Sequence, residues 1–218
     1  MRVVVADLGL GNLRSVERAV VRAAAEHAPH LSVSVSGDAD VLASADLLVF
    51  PGQGAFRDGA AALEQPAGRA VRAHIDAGRP YFGICLGLQL LFDESDEAPG
   101  ARGLGVFEGA VRRLGGPALS AVGERKVPHM GWNEVRARRE GTPIDVVRDA
   151  YVYFVHSYAA VPSDGAVVAA EAEYGASVVA AVAREHVFAV QFHPEKSQAA
   201  GRALLRAVMA WAEKRMSP

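Results

Sequence analysis

Two hydrophobic periods alternate along the first ninety residues of the chain. Short unbroken apolar runs, Arg2–Ala6 (RVVVA), Leu47–Phe50 (LLVF) and Tyr81–Ile84 (YFGI), read as strands buried on both faces. Leu31–Val35 alternates as a further short strand, and Asp38–Ala45 reads as a short helix or turn. Between the runs the apolar spacing lengthens to three and four. Leu13, Val16, Val20 and Ala23 or Ala24 share one face of a helix reaching about Ala28, with Asn12 as its N-cap. A second helical stretch, from about Ala60 to Ala77, leads into the strand at Tyr81. Strands alternating with helices predict a parallel sheet covered on both faces, with reactive loops at the carboxyl ends of its strands.

After Phe92 the pattern changes. Asp93–Gly103 (DESDEAPGARG) is polar and without period. Val106–Phe107, Asn133–Arg136, Tyr151–Val155, Val167–Ala172, Ser177–Ala183 and Val187–Phe192 then read as short strands separated by turn residues, which suggests antiparallel additions. The chain closes with a helix, Gln198–Lys214, in which Ala203, Leu204, Ala207, Val208 and Trp211 recur every three or four residues. No repeat or linker divides the chain. The expected fold is α/β: one domain over residues 1–218, a doubly wound, mostly parallel sheet with helices on both faces and antiparallel additions in the second half.

Composition narrows the function. With 218 residues, half of them hydrophobic, the chain can bury a full core. A net charge of −2 and the lack of any basic run give no footprint for nucleic acid. The N-terminal apolar run is too short for a signal-peptide core, and no stretch approaches the ~18 apolar residues of a membrane span. The one cysteine excludes an internal disulfide and fits a reducing compartment. A cytoplasmic protein with no membrane or nucleic-acid partner is expected.

That cysteine is Cys85, set between Gly83 and Gly87 where the Tyr81 strand meets an apolar, helix-compatible segment, Leu86–Phe92. A sharp strand-to-helix turn crowds the backbone on either side of the turn residue, and glycine leaves room there. The thiol is then presented at a helix N-terminus, which favours the thiolate. The pattern is that of a nucleophile elbow, whereas a lone cysteine elsewhere is usually a small buried hydrophobe.

A thiol nucleophile needs a base, and the base an orienting group. The strand ending at Phe192 runs into His193-Pro194-Glu195. Pro194 holds His193 extended, so His193 and Glu195 can face the same way, with the carboxylate on one ring nitrogen and Cys85 on the other. His156 is the competing base, without a carboxylate two positions on. His129 and His186 lie among polar residues and read as surface positions. Donors for an oxyanion are available from Gly52-Gln53-Gly54 and from the N–H of Leu86. The turn Gly9-Leu10-Gly11 lacks a third glycine, Arg14 standing in its place, so it is read as a packing or partner surface and not as a nucleotide site.

The segments PGQGAF (51–56), GICLGLQLLF (83–92) and FHPEKS (192–197), in that order, resemble the class I glutamine amidotransferases. With GLGNLRS (9–15), VPHMGWNEV (127–135) and YFVHSY (153–158), the resemblance narrows to the glutaminase subunits of imidazole glycerol phosphate synthase, and it covers the chain from Asp7 to the terminal helix. The resemblance implies Cys85 as nucleophile, His193 as base and then acid, and Glu195 as its orienter. It implies an oxyanion strand at Gly52, Gln53 and Gly54, with Leu86. Gln89, Glu97 and the backbone of His156, Ser157 and Tyr158 would hold L-glutamine. Asn12, Met130, Trp132, Asn133 and Lys196 would meet a separate (β/α)8-barrel cyclase subunit that receives the ammonia, forming a heterodimer that makes imidazole glycerol phosphate and AICAR in histidine biosynthesis. No metal and no cofactor are implied. Gln53 departs from the family pattern, in which a small apolar residue such as valine is expected. The rival readings are an amidotransferase serving another synthase, a catalytically silent scaffold of the same fold, and a thiol redox sensor, the last disfavoured because no resolving cysteine exists.

Overall fold

The computed structural model describes residues 1–11, 13–28, 30–123 and 125–216. The first half runs β1 (Arg2–Ala6), α1 (Leu13–His27), β2 (Ser32–Ser36), α2 (Ala39–Ala43), β3 (Leu47–Gly52), α3 (Phe56–Leu63), α4 (Pro66–Asp76), β4 (Tyr81–Cys85) and α5 (Leu86–Gln89). The second half adds β5 (Glu94–Ser95), β6 (Gly109–Arg113), β7 (His129–Glu134), β8 (Arg136–Ala137), β9 (Tyr151–His156), β10 (Tyr158–Pro162), β11 (Val168–Glu173), β12 (Ser177–Arg184), β13 (Val187–Val190) and α6 (Gln198–Met216). The main sheet has eight strands in the order β2-β1-β3-β4-β13-β12-β11-β8. From β2 to β13 every pairing is parallel; from β13 to β8 every pairing is antiparallel. The expected α/β architecture is therefore the observed one.

Because successive strand residues point to opposite faces, β1, β3 and β4 feed two cores. Val3, Val5, Leu47, Val49, Phe82 and Ile84 pack with Val16 and Val20 of α1 and with Leu204, Leu205 and Val208 of α6. Val4, Leu48, Phe50 and Tyr81 pack on the other side with Phe56, Leu63, Val71 and Ile75 of α3 and α4. The unbroken apolar runs reflect this double burial.

Several expectations change. The helix expected over 60–77 is two helices, because Pro66 cannot continue α3 and instead opens α4 at its first turn. The segment after Cys85 is helical only to Gln89. Val106 and Phe107 form no strand; both donate their N–H groups to Leu91 O, while β6 and β10, which the apolar pattern did not mark, pair antiparallel beside them. β7 begins at His129, earlier than Asn133. Among the described residues, no helix is long and apolar enough to cross a membrane.

Register sets the site. Gly52 at the end of β3 pairs with Cys85 at the end of β4, and Ile84 pairs with Val190 at the end of β13. Three parallel strands thus deliver the glycine loop, the cysteine and the His193 segment to one level.

Candidate active site

Cys85 sits at φ 54°, ψ −105°, a left-handed conformation rare for a residue with a Cβ, and its side chain is partly exposed. The flanking glycines are required by contact. A Cβ on Gly83 would lie 2.6 Å from Gly87 O, and one on Gly87 would lie 2.1 Å from Phe50 O. The elbow exists because the residues two positions to either side of the strained one carry no side chain.

The imidazole of His193 is 2% exposed, its Nδ1 lies 2.7 Å from Glu195 Oε1, and it lines the same cavity as Cys85. Glu195 lies in a tight turn, Pro194–Lys196, so a turn and not an extended run brings its carboxylate beneath the ring. Burial works against a charge on His193, but Cys85 and the hydrogen-bonded Glu195 beside it lift its pKa to about 9. Ser197 anchors the turn: its hydroxyl donates to His193 O at 2.7 Å and accepts from Tyr153 N at 3.0 Å.

These groups open onto a cavity of about 420 Å³ lined by Gln53, Gly54, Cys85, Leu86, Gln89, Glu97, His156, Ser157, Tyr158, His193 and Lys196, with Pro128 and Val155. Glu97 reaches back from the polar segment after Phe92 and accepts from Phe56 N at 2.8 Å, supplying the start of α3 with an acceptor its own N-cap lacks. Gln53 is backed by the Gly9-Leu10-Gly11 turn: a Cβ on Gly11 would lie 2.5 Å from Gln53 Cβ. Close packing is thus one use of that turn.

Tyr158 O is a meeting point. It accepts from Gln89 Nε2 at 3.0 Å and from His156 Nδ1 at 2.9 Å. His156 Nε2 lies 3.0 Å from His129 Nδ1, and His129 Nε2 lies 3.2 Å from Asn133 Nδ2. Since a carbonyl only accepts, His156 carries its proton on Nδ1, His129 on Nδ1, and Asn133 donates. Burial drives both rings to the neutral form this pattern needs, His129 to about 4 and His156 to about 3. His156 is therefore committed at both nitrogens and is no base for Cys85.

The reading of His129 as a surface residue is corrected: it is 2% exposed, stacked between Phe154 and Tyr174 with ring centroids 4.6 and 4.0 Å away. Its strand neighbours Met130 and Trp132 alternate outward on β7 while it points in. His186 is half-buried and bonds Ile75 O at 2.8 Å. Met130 and Trp132 are exposed on the outer face of β7, at 61% and 46%. Asn133 points the other way, toward His129 and Glu173 O, and so does not join them. Lys196 stands at the cavity rim with Nζ 5.7 Å from the centre of the Tyr153 ring, and Tyr153 in turn meets Trp132. Asn12 lies outside the described residues. Gln191, buried against Cys85, escaped the sequence reading, although it stands two residues before His193 and the period of an extended chain points to it.

A strand-to-helix elbow carrying Cys85, with the buried His193–Glu195 pair on the same cavity, is the arrangement the sheet assembles. The chain belongs to the class-I glutamine amidotransferase family, whose family model, "Glutamine amidotransferase class-I", matches residues 4–209. Within it the chain belongs with the HisH subunits of imidazole glycerol phosphate synthase. It is 46% identical over 212 residues to "Imidazole glycerol phosphate synthase subunit HisH" of Methylococcus capsulatus, covering 96% of each chain. It is 44% identical over 216 residues to the protein of the same name in Aquifex aeolicus, covering 98% of this chain and 99% of that one. Among solved structures, "Structure of PurLQS from Thermotoga maritima" (TM-score 0.71, 18% identity) and "Crystal structure of glutamine amidotransferase" (TM-score 0.69, 21% identity) each cover 96% of this chain and 98% of their own. They share its fold.

Proposed function

We propose that this chain, acting as one glutaminase domain over residues 1–218, hydrolyses L-glutamine and hands the ammonia to a (β/α)8 cyclase subunit of imidazole glycerol phosphate synthase, in histidine biosynthesis. The observation that carries the reading is the 2.7 Å pairing of His193 with Glu195, on the same cavity that Cys85 lines at the elbow. Cys85 sulfur attacks the side-chain amide carbon of glutamine, and the carbonyl oxygen becomes an oxyanion met by the N–H of Leu86 and by a peptide N–H of Gly52-Gln53-Gly54. His193, protonated, gives its proton to the amide nitrogen, and ammonia leaves a thioester on Cys85. Water then attacks the thioester carbon while His193 takes up its proton, and glutamate departs with the thiol restored. Glu195 orients the ring and steadies its charge throughout. Gln89, Glu97 and the His156-Ser157-Tyr158 backbone hold the substrate, a reading supported by their lining the same cavity as Cys85.

The partner reading is supported by the word "subunit" in the relatives' name and by the exposed Met130 and Trp132 beside Lys196 at the cavity rim. The expected product with the cyclase is imidazole glycerol phosphate, together with AICAR, in the cytoplasm. The test is glutamate release by the purified chain, alone and with the cyclase and its nucleotide ligand, together with trapping of a glutamine-derived thioester on Cys85. No glutamate release under either condition overturns the reading.

A further inference from the structure

Gln191 follows the last residue of β13 and is 0% exposed. Its carboxamide touches both halves of the site. Nε2 donates to Cys85 Sγ at 3.6 Å, and Oε1 accepts from Gln89 Nε2 at 3.2 Å. A backbone oxygen sets which end faces which. Tyr158 O can only accept, so the group 3.0 Å from it is the Gln89 nitrogen. That nitrogen also meets Gln191, which must therefore offer its oxygen to Gln89 and its –NH2 to the sulfur. The Gln89 oxygen is left for the cavity that Gln89 lines.

We propose that Gln191 is a positioning residue: one buried carboxamide holds the Cys85 sulfur and fixes which end of the Gln89 amide faces bound glutamine. This rests on the glutaminase reading. An N–H aimed at sulfur favours the anion over the neutral thiol, since charge-assisted hydrogen bonds are the stronger ones. An acceptor for Gln89 keeps the Gln89 oxygen turned to the cavity, where it accepts an N–H of the substrate. Packing alone does not call for an amide here. A methionine fills similar space without taking two polar groups out of water.

Cys85 is the only cysteine, so iodoacetamide alkylation of the full chain reads its sulfur with neither glutamine nor a partner present. Gln191→Met keeps the length and removes donor and acceptor. Gln191→Glu, at pH 8, keeps an acceptor for Gln89 and removes the donor to sulfur. Alkylation is expected to slow about tenfold in both, the value of one hydrogen bond to a charged group. With the cyclase and its nucleotide ligand present, kcat for glutamine falls in both variants, while KM rises several-fold in Gln191→Met alone. Wild-type alkylation and kcat in Gln191→Met overturn the proposal, as does an equal rise of KM in Gln191→Glu. Should Gln191→Met not melt as a folded protein, the alkylation rate of Gln191→Glu decides on its own. A wild-type chain that alkylates but never turns over glutamine refutes the glutaminase reading, and the alkylation comparison still decides whether Gln191 holds the sulfur.

Discussion

His129 Nδ1 donates to His156 Nε2 at 3.0 Å, and both rings are buried and neutral. The bond works only while His156 stays neutral, because a charged His156 has no acceptor to offer, and a charged His129 would turn a second donor on Asn133 Nδ2. Beyond it, Tyr158 O ties the pair to Gln89 in the cavity wall.

The pair makes stability fall with acid. Each histidine has a folded pKa below its usual 6.5, His129 at about 4 and His156 at about 3. In the unfolded chain both take up protons near pH 6.5; in the folded chain they do so only near those lower values. Their contribution is complete above pH 6.5 and is lost as pH falls toward 4 and then 3. Carboxylates add to acid loss, so the comparison must be with a variant. His129→Phe is less stable at pH 7, because it orphans His156 Nε2. The gap in unfolding free energy should narrow by up to about 1.4 kcal/mol per pH unit between pH 6 and 5, one titrating group having been removed. Denaturant melts of both proteins across that range check it; a constant gap excludes the titration.

The triad should behave as one unit. Cys85→Ala and His193→Ala are each expected to lose on the order of 10⁴ or more in glutamine turnover while keeping the fold. Added ammonium should still support the cyclase reaction in both, since the proposed function puts the acceptor site on another chain. Glu195→Gln retains more, keeping the orientation but not the charge beneath the ring. His156→Ala should act differently, raising KM through Tyr158 and Gln89 before it touches kcat. A severe kcat loss in His156→Ala with a mild one in His193→Ala would reverse the two roles.

The elbow glycines give a stability test. A Cβ on Gly87 would lie 2.1 Å from Phe50 O, in a backbone that has nowhere to go. Gly87→Ala should cost about 3 kcal/mol or more, through overpacking and backbone strain together. Gly78→Ala is the control: it sits at positive φ (73°), whereas Gly87 is helical, and nothing lies within 4 Å of its Cβ position. It should cost only about 1 kcal/mol. Thermal melts of the two variants rank them; equal losses would mean that the approach to Phe50 O costs Gly87 no more than positive-φ strain costs Gly78.

Much of this was legible before any coordinates. The double-sided strands announce themselves because a strand covered on both faces is apolar at every position, as in Leu47–Phe50 and Tyr81–Ile84. The elbow was legible because glycines at fixed spacing around a cysteine have few other physical uses. What escaped depends on partners distant in sequence. β6 and β10 are short and partly polar, and pairing with each other is what makes them strands. His129 reads as exposed among polar neighbours, yet Phe154 and Tyr174 enclose it. Gln191 looks like one polar residue in an apolar run until Gln89, a hundred positions earlier, turns its amide toward it. Asn133 follows Trp132 in one motif, but the two-residue period of β7 sends their side chains to opposite faces.

The last prediction concerns control by the partner. The isolated chain should be a poor glutaminase and should be switched on by the cyclase with its nucleotide bound. A fully assembled site standing open would release ammonia to water, where at neutral pH it is mostly protonated and no longer nucleophilic. Gly52-Gln53-Gly54 is the candidate switch, because Gly54 already sits at φ 139° and a peptide between glycines rotates at low steric cost. Gln53 is pressed against Gly11, so rotation of its peptide must be felt in the Gly9-Leu10-Gly11 turn. Supplying one missing oxyanion donor is worth ~10²–10³ in rate. Trp132→Ala removes an exposed side chain, so it should leave the melting temperature close to wild type while cutting stimulation by the cyclase. Lys196→Ala should weaken stimulation, or let ammonia escape to solvent, more than it lowers stability, because Lys196 lies at the cavity rim immediately after Glu195. Glutamate and imidazole glycerol phosphate formation, measured side by side with increasing cyclase, separate lost stimulation from lost coupling. Full glutaminase activity of the chain alone would refute the switch and leave a free-standing glutaminase.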